Sequence, residues 1–289
     1  MYTQTMKKLT FTVILCVIIL LYFLSKSESV ITYITPNLKD TVVDSTEILQ
    51  DKFADITIGK GTFSFAFFDP NTNTSYLVNP DEEYYYASIF KIPVAITVLK
   101  DIDSKKYSLA DKFEYLSEDY TTGDGTLQYE DFNTQYSIEE LLVKLLQNSD
   151  NVAMNIFIRK FGLDNVYQTA LDLKTSKNFA NNNIGTVKDG IEMFKTIDTT
   201  NIISNSSKQI LYDYLTDTNF EDRLKLGLTD KSTLVHKVGT WPETLSYHDC
   251  GIVINSNYKY YICVLTKNTT LTQAQKLSAK LAKTAESLY

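Results

Sequence analysis

Strand-like alternation occurs near both ends of this 289-residue chain, with a long helical stretch between. Phe63, Phe65 and Phe67 share one face of an extended segment. Asp69-Pro70-Asn71-Thr72-Asn73 then supplies a turn, and Tyr76 and Val78 resume the alternation, which predicts a β-hairpin. Strand patterns return only at Thr233–Val238, Gly251–Asn255 and Tyr258–Thr266. Helix-period apolar residues fill Ile138–Leu146, Asn151–Phe161, Asp164–Leu173, Val187–Ile197 and Gln209–Leu215. A half-buried sheet must therefore be assembled from the two ends of the chain. The simplest assembly is an α/β (α+β) fold with a five-stranded antiparallel sheet and an all-helical lobe inserted between strands two and three. Leu38, Val42, Leu49, Phe53 and Ile56 predict an N-terminal helix starting near Pro36 and Asn37. Ala274, Leu277, Leu281, Ala285 and Leu288 predict a C-terminal one, and the two helices are expected to cover the sheet. Ser88 to Leu99 is apolar nearly all round, the pattern of a buried helix.

The first 29 residues stand apart. Lys7 and Lys8 precede an apolar run from Leu9 to Leu24, and Ser25-Lys26-Ser27-Glu28-Ser29 follows. A basic flank, an apolar core and a polar exit read as a signal sequence or an N-terminal membrane anchor. The poor cleavage signature favours the anchor, with the rest of the chain extracytoplasmic. Residues 30–37 then form a linker and 38–289 one catalytic domain of two lobes. A net charge of −7 argues against nucleic-acid binding through a basic face. Three cysteines are too few for a disulfide framework, and Cys16 lies in the apolar run. A two-residue turn at Ser256-Asn257 makes Cys250 and Cys263 direct cross-strand partners. Buried free thiols are the expected state, because directly opposed strand positions often have poor disulfide geometry.

Three short motifs carry chemistry. In Ser88-Ile89-Phe90-Lys91 the serine and lysine lie three apart, on one helix face. Ser88 would open the helix, where free N–H groups favour developing negative charge. A lysine buried among Ile89, Phe90, Ile92 and Val94 loses its proton more readily and can then act as a base. Ser256-Asn257-Tyr258-Lys259 has the same spacing but falls in a turn, where the two side chains need not converge. Ser149-Asp150-Asn151 sits between two predicted helices, a place where such residues also serve as caps. There Ser149 would shuttle a proton and Asn151 hold a substrate amide. Lys237-Val238-Gly239-Thr240 lies on a late strand, with Lys237 placed to hold a carboxylate and Gly239 to admit a substrate backbone.

The ordered trio Ser-x-x-Lys, Ser-Asp-Asn and Lys-x-Gly resembles that of class A β-lactamases and the related penicillin-recognising serine enzymes. Tyr86-Ala87, Gly123-Asp124-Gly125-Thr126-Leu127 and Arg223 extend the resemblance, which runs from about residue 50 to the C-terminus. It implies a site between the lobes with Ser88 as nucleophile, Lys91 as its base and Ser149 as proton relay. Asn151, Lys237, Gly239 and Thr240 would bind substrate, and the backbone N–H groups of Ser88 and Thr240 would form the oxyanion hole. It implies no metal and no cofactor, a β-lactam or D-alanyl peptide substrate, and a monomer.

Two departures from the family pattern matter. Val238 stands where a Thr or Ser is common. The glutamate that activates the deacylating water in class A enzymes has no counterpart, since no Glu occurs between Glu140 and Glu192. Asn155 matches the asparagine that supports that glutamate, and the stretch Leu173–Thr186, where it would lie, offers Asn, Lys and Ser instead. Asp172 is the nearest acid in sequence, with no special reason to choose it. Acylation with slow deacylation is therefore expected. A D-alanyl-D-alanine peptidase and a β-lactam-binding sensor are the alternatives, although about eight residues before the apolar run are too few for a signalling domain. His236 is expected to pack on the strand face opposite Lys237 rather than to take part in catalysis.

Overall fold

The computed structural model describes residues 45–289 except 217, and the apolar N-terminal run, the linker and the predicted helix start lie outside the described residues. Helix α1 (Ser45–Phe53) leads into strands β1 (Thr62–Asp69) and β2 (Thr74–Val78), the predicted hairpin. The first helix ends at Phe53, before Ile56, which packs from the following coil. The C-terminal strands are β7 (Thr233–Trp241), β8 (Ser246–Ile254) and β9 (Lys259–Lys267), followed by helix α9 (Leu271–Glu286). Sheet order is β2-β1-β9-β8-β7, all antiparallel, so the two ends of the chain meet where β1 pairs with β9.

Alternation along these strands sorts side chains to two faces. Phe63, Phe65, Phe67, Val253, Tyr260, Ile262 and Val264 pack against Leu49 and Phe53 of α1 and against Leu277, Leu281 and Ala285 of α9. Ala66, Val235, Cys250, Ile252, Tyr261, Cys263 and Leu265 face the helical part. Each large apolar side chain buried in this way contributes ~1.5–3 kcal/mol.

The helical insert comprises α2 (Lys91–Asp103), α3 (Ile138–Gln147), α4 (Asn151–Phe161), α5 (Leu163–Asp172), α6 (Lys177–Asn182), α7 (Val187–Thr199) and α8 (Asn205–Tyr214). Ser137 caps α3 by accepting the Glu140 N–H, and Glu140 returns the bond to the Ser137 N–H. Two ribbons, β3 (Tyr84–Tyr85) with β6 (Ile184–Gly185) and β4 (Lys112–Glu114) with β5 (Gln135–Ser137), were not predicted, because two or three residues are too few to display alternation. The stretch 173–186 is not an open loop, since it contains α6 and β6.

Cys250 and Cys263 are opposed across β8 and β9, in the register the turn predicts, with Cα atoms 4.0 Å apart. They form a disulfide, which corrects the expectation of free thiols. Gly190 of α7 lies over the bridge, where an added Cβ would come within 2.5 Å of the Cys263 sulfur. Ser256 lies in the exposed turn between β8 and β9, and among the described residues its hydroxyl bonds only its neighbour Asn255. Among the described residues no helix is long and apolar enough to cross a membrane, and no His, Cys, Asp or Glu cluster could hold a metal ion.

Candidate active site

Three segments converge at one end of the sheet. The first begins at Tyr86, a fully buried side chain whose hydroxyl donates to the Thr186 carbonyl and accepts the Gly190 N–H at 3.0 Å. Ala87 follows with φ +51°, a left-handed conformation unfavourable for alanine. A 3₁₀ turn over Ala87–Phe90 then runs into α2, so Ser88 stands one turn before Lys91. The lysine is 1% exposed. Its Nζ lies 2.8 Å from Ser88 Oγ, 2.7 Å from Asn151 Oδ1, 2.6 Å from the Ser149 carbonyl and 3.2 Å from Ser149 Oγ. Burial lowers its pKa to about 8, against the opposing charges of Asp124 and Asp150. A neutral amine has two N–H bonds, which satisfy Asn151 Oδ1 and the Ser149 carbonyl, and a lone pair left for the Ser88 proton.

The second segment is the α3–α4 junction. Ser149 has φ +56°, which turns the chain so that its hydroxyl and carbonyl both face Lys91. Asp150 caps α4 through the Ala153 N–H, and its other oxygen accepts the Thr126 and Leu127 N–H groups at 2.7 and 2.9 Å. The middle residue of the motif thus moors the 122–127 loop, a task the sequence alone did not disclose. Asn151 Nδ2 donates to the Thr122 carbonyl at 3.2 Å, so both ends of this amide already have protein partners.

The third segment is β7, an edge strand. Lys237 Nζ reaches Ser149 Oγ at 3.1 Å and lies 5.6 Å from the Phe220 ring centre. Burial and then the charge of Lys91 push its pKa well below the usual lysine range. Ser149 Oγ therefore bridges two lysines that repel each other's charge. Thr240 Oγ1 accepts from the Arg223 guanidinium at 2.8 Å, which leaves its O–H free to donate. A Cβ on Gly239 would overlap the Tyr86 carbonyl, so its missing side chain makes room for the segment before Ser88.

His236 and Lys237 diverge across β7 as the alternation predicts. His236 is wholly buried between Asp249 Oδ1 at 2.6 Å and Glu221 Oε1 at 3.2 Å. Burial opposes its charge, yet the two carboxylates outweigh this and raise its pKa to about 9. His248, by contrast, is held neutral by burial, with its pKa lowered to about 3. Its Nδ1 accepts the Thr266 N–H and its Nε2 faces the Tyr85 carbonyl, which fixes the proton on Nε2.

A cleft of about 480 Å³ opens over these groups. Ser88, Lys91, Asn151 and Thr240 line it, whereas Ser149, Lys237 and Gly239 lie buried behind its wall. Sequence reasoning did not assign Asp124, Asn183 or Trp241 to the cleft, nor Met154, Ile158, Leu163 and Tyr167, which form an apolar side. Asn155 donates to the Asp119 carbonyl at 3.1 Å, and Asp172 is paired with Lys100 at 2.8 Å, outside the cleft.

This geometry has relatives. The extended-spectrum β-lactamase PER-1 of Pseudomonas aeruginosa is 23% identical, over 84% of this chain and 86% of that protein. β-Lactamase VEB-1 of the same organism is 25% identical, over 61% and 65%. Among solved structures, PBP-A superposes with a TM-score of 0.74 at 22% identity, over 84% of this chain and 97% of that one. A β-lactamase from Sphaerobacter thermophilus gives 0.74 at 20% identity, over 85% and 97%. The family described as "Beta-lactamase enzyme family" matches residues 47–289, the span that holds the sheet, the helical insert and the cleft between them. The chain belongs to that family and is a serine hydrolase of the β-lactamase type.

Proposed function

We propose that the chain forms an acyl-enzyme on Ser88 with β-lactams or D-alanyl peptides and hydrolyses it slowly. The observation that carries this reading is the contact between Lys91 Nζ and Ser88 Oγ, made by a lysine buried deeply enough to lose its proton near neutral pH. In acylation Lys91 takes the Ser88 proton, Oγ bonds the carbonyl carbon, and the C–N bond breaks. The leaving nitrogen is protonated through Ser149, whose Oγ both lysines reach. A substrate carboxylate near Lys237 favours the charged form of that lysine, and a charge there in turn favours the neutral form of Lys91. Ser88 and Thr240 line one cleft, consistent with their N–H groups forming an oxyanion hole worth ~3 kcal/mol per donor.

Slow deacylation is inferred from the 173–186 side of the cleft, because the one carboxylate that lines the cleft, Asp124, stands on the 122–127 loop instead. A positioned general base is worth ~10²–10⁴-fold. The 173–186 stretch brings Asn181, Asn182 and Asn183 to the cleft where that base would be needed, and amides do not accept a proton from water. Met154, Ile158, Leu163 and Tyr167 offer mostly apolar surface beside them. The apolar run 9–24 supports an extracytoplasmic location with an N-terminal anchor, where such substrates are found.

Mass spectrometry of the protein mixed with benzylpenicillin tests this reading. A stoichiometric adduct on Ser88 that outlasts many minutes is expected, and Ser88→Ala should abolish it. Rapid multiple turnover with no trapped adduct, or labelling that survives Ser88→Ala, would overturn it.

A further inference from the structure

The residues that line the cleft include one carboxylate, Asp124, and no hydrogen bond or ion pair among the described residues engages it. Its exposure does not make it a free loop tip. Gly123 and Gly125 flank it at φ +120° and +100°, and neither has room for a side chain. A Cβ on Gly123 would come within 2.5 Å of Asn151 Nδ2, and one on Gly125 would overlap the Asp150 carboxylate. The Asp124 carbonyl accepts the Asn151 N–H at 3.0 Å, and Gln128 Nε2 ties the carbonyls of Gly123 and Gly125 together. The loop is thus held at both sides of Asp124, on the α4 wall of the cleft. Its carboxylate raises the pKa of both Lys91 and Lys237, so its field extends across the site.

The cleft is therefore two-signed. Lys237 and Arg223 stand behind the β7 wall, and a lone anion stands on the opposite one. β-Lactams and D-alanyl peptides carry their carboxylate on the leaving-group side of the scissile bond, the side drawn to β7. Their acyl portion extends the other way. Resting on the acyl-transfer reading above, we propose that Asp124 is a specificity-determining residue that receives a cationic group on the acyl portion of the substrate. The preferred acyl donors are zwitterions with a carboxylate at one end and an ammonium or guanidinium at the other.

Penicillins that differ only at the side-chain α-carbon test this directly. Ampicillin carries an ammonium there at pH 6, benzylpenicillin a hydrogen and carbenicillin a carboxylate. The second-order rate of Ser88 acylation, read by mass spectrometry at low salt, should fall in that order. Ampicillin should exceed carbenicillin by about tenfold, the scale of two exposed charge interactions. In Asp124→Asn the ratio should collapse towards one, in Asp124→Lys it should invert, and in 1 M salt it should shrink for the parent protein. Equal rates for all three penicillins, or a preference unchanged in Asp124→Asn, would overturn the inference and leave acyl transfer standing. No adduct with any of the three would overturn both.

Discussion

The state of Lys91 sets how fast Ser88 can be acylated at a given pH. With a pKa of about 8, Lys91 is neutral in ~1% of molecules at pH 6, ~9% at pH 7 and about half at pH 8. If only the neutral amine accepts the Ser88 proton, the second-order acylation rate rises ~9-fold from pH 6 to 7 and ~5-fold from 7 to 8. From pH 8 to 10 it gains less than ~2-fold. That rate constant reports the free enzyme, the state whose geometry is described above. The assay is quenched-flow mass spectrometry with benzylpenicillin, whose carboxylate stays ionised over this range. Two variants sharpen the test. Lys91→Arg keeps the positive charge but cannot be deprotonated, so labelling should fall to background. Asp124→Asn removes a charge that raises the pKa of Lys91, so the midpoint of the profile should move to lower pH. A rate that is flat between pH 6 and 8, or labelling retained in Lys91→Arg, would refute the assignment of Lys91 as base.

Two further outcomes concern stability. His236 has its pKa raised from 6.5 to about 9 in the fold, so its contribution is fully present below ~6.5 and is lost as pH rises through 9. His236→Asn should therefore cost about 3 kcal/mol at pH 6, the scale of a broken buried ion pair, and much less at pH 10. Urea unfolding at the two pH values reads this, and equal losses would contradict a charged His236. The Cys250–Cys263 bridge closes a short loop with a sequence separation of 13, for which chain entropy gives about 3 kcal/mol. The double variant Cys250→Ala, Cys263→Ala should lose about that much, measured as a lower unfolding free energy in urea extrapolated to water. No loss would mean that the bridge does not form in solution.

Most of the fold was legible because its large elements obey one period each. Alternation at Phe63, Phe65 and Phe67 and in the three late strands predicted all five strands of the main sheet, and Asn151–Phe161 matched α4 at both ends. The rule for direct cross-strand partners placed Cys250 opposite Cys263, but register does not report whether two sulfurs are bonded. In the site, the motifs named the groups that converge on Lys91 because helix spacing and chain order constrain them. They did not reveal how each group is held. Asp150 looked like a cap and is also the mooring of a loop ~25 residues upstream, through bonds no local pattern encodes. Gly239 was read as a space for substrate, and nothing local announced that it also lets the carbonyl of Tyr86, distant in sequence, come close. His236 acquires its charge from Asp249 on the next strand and Glu221 on a preceding segment, and only tertiary structure brings the three together.

The junction of β1 with β9 has a consequence for how the protein comes into being. Phe65 is paired with Val264, about 200 residues later, and Ala66 with Cys263. A chain made from its N-terminus can form the β1–β2 hairpin early, but that hairpin alone is at best marginally stable in water. It must wait, with Phe63, Phe65 and Phe67 uncovered, until β9 and α9 have been synthesised. The Ser88 segment waits with it, because Gly239 of β7 and Gly190 of α7, on which Tyr86 rests, also come later in the chain. The nucleophile is thus translated in the first third of the protein and completed last. A ribosome-bound chain ending before Lys259 should be protease-sensitive throughout 62–78 and inert towards penicillin, although every motif of the site has already been made.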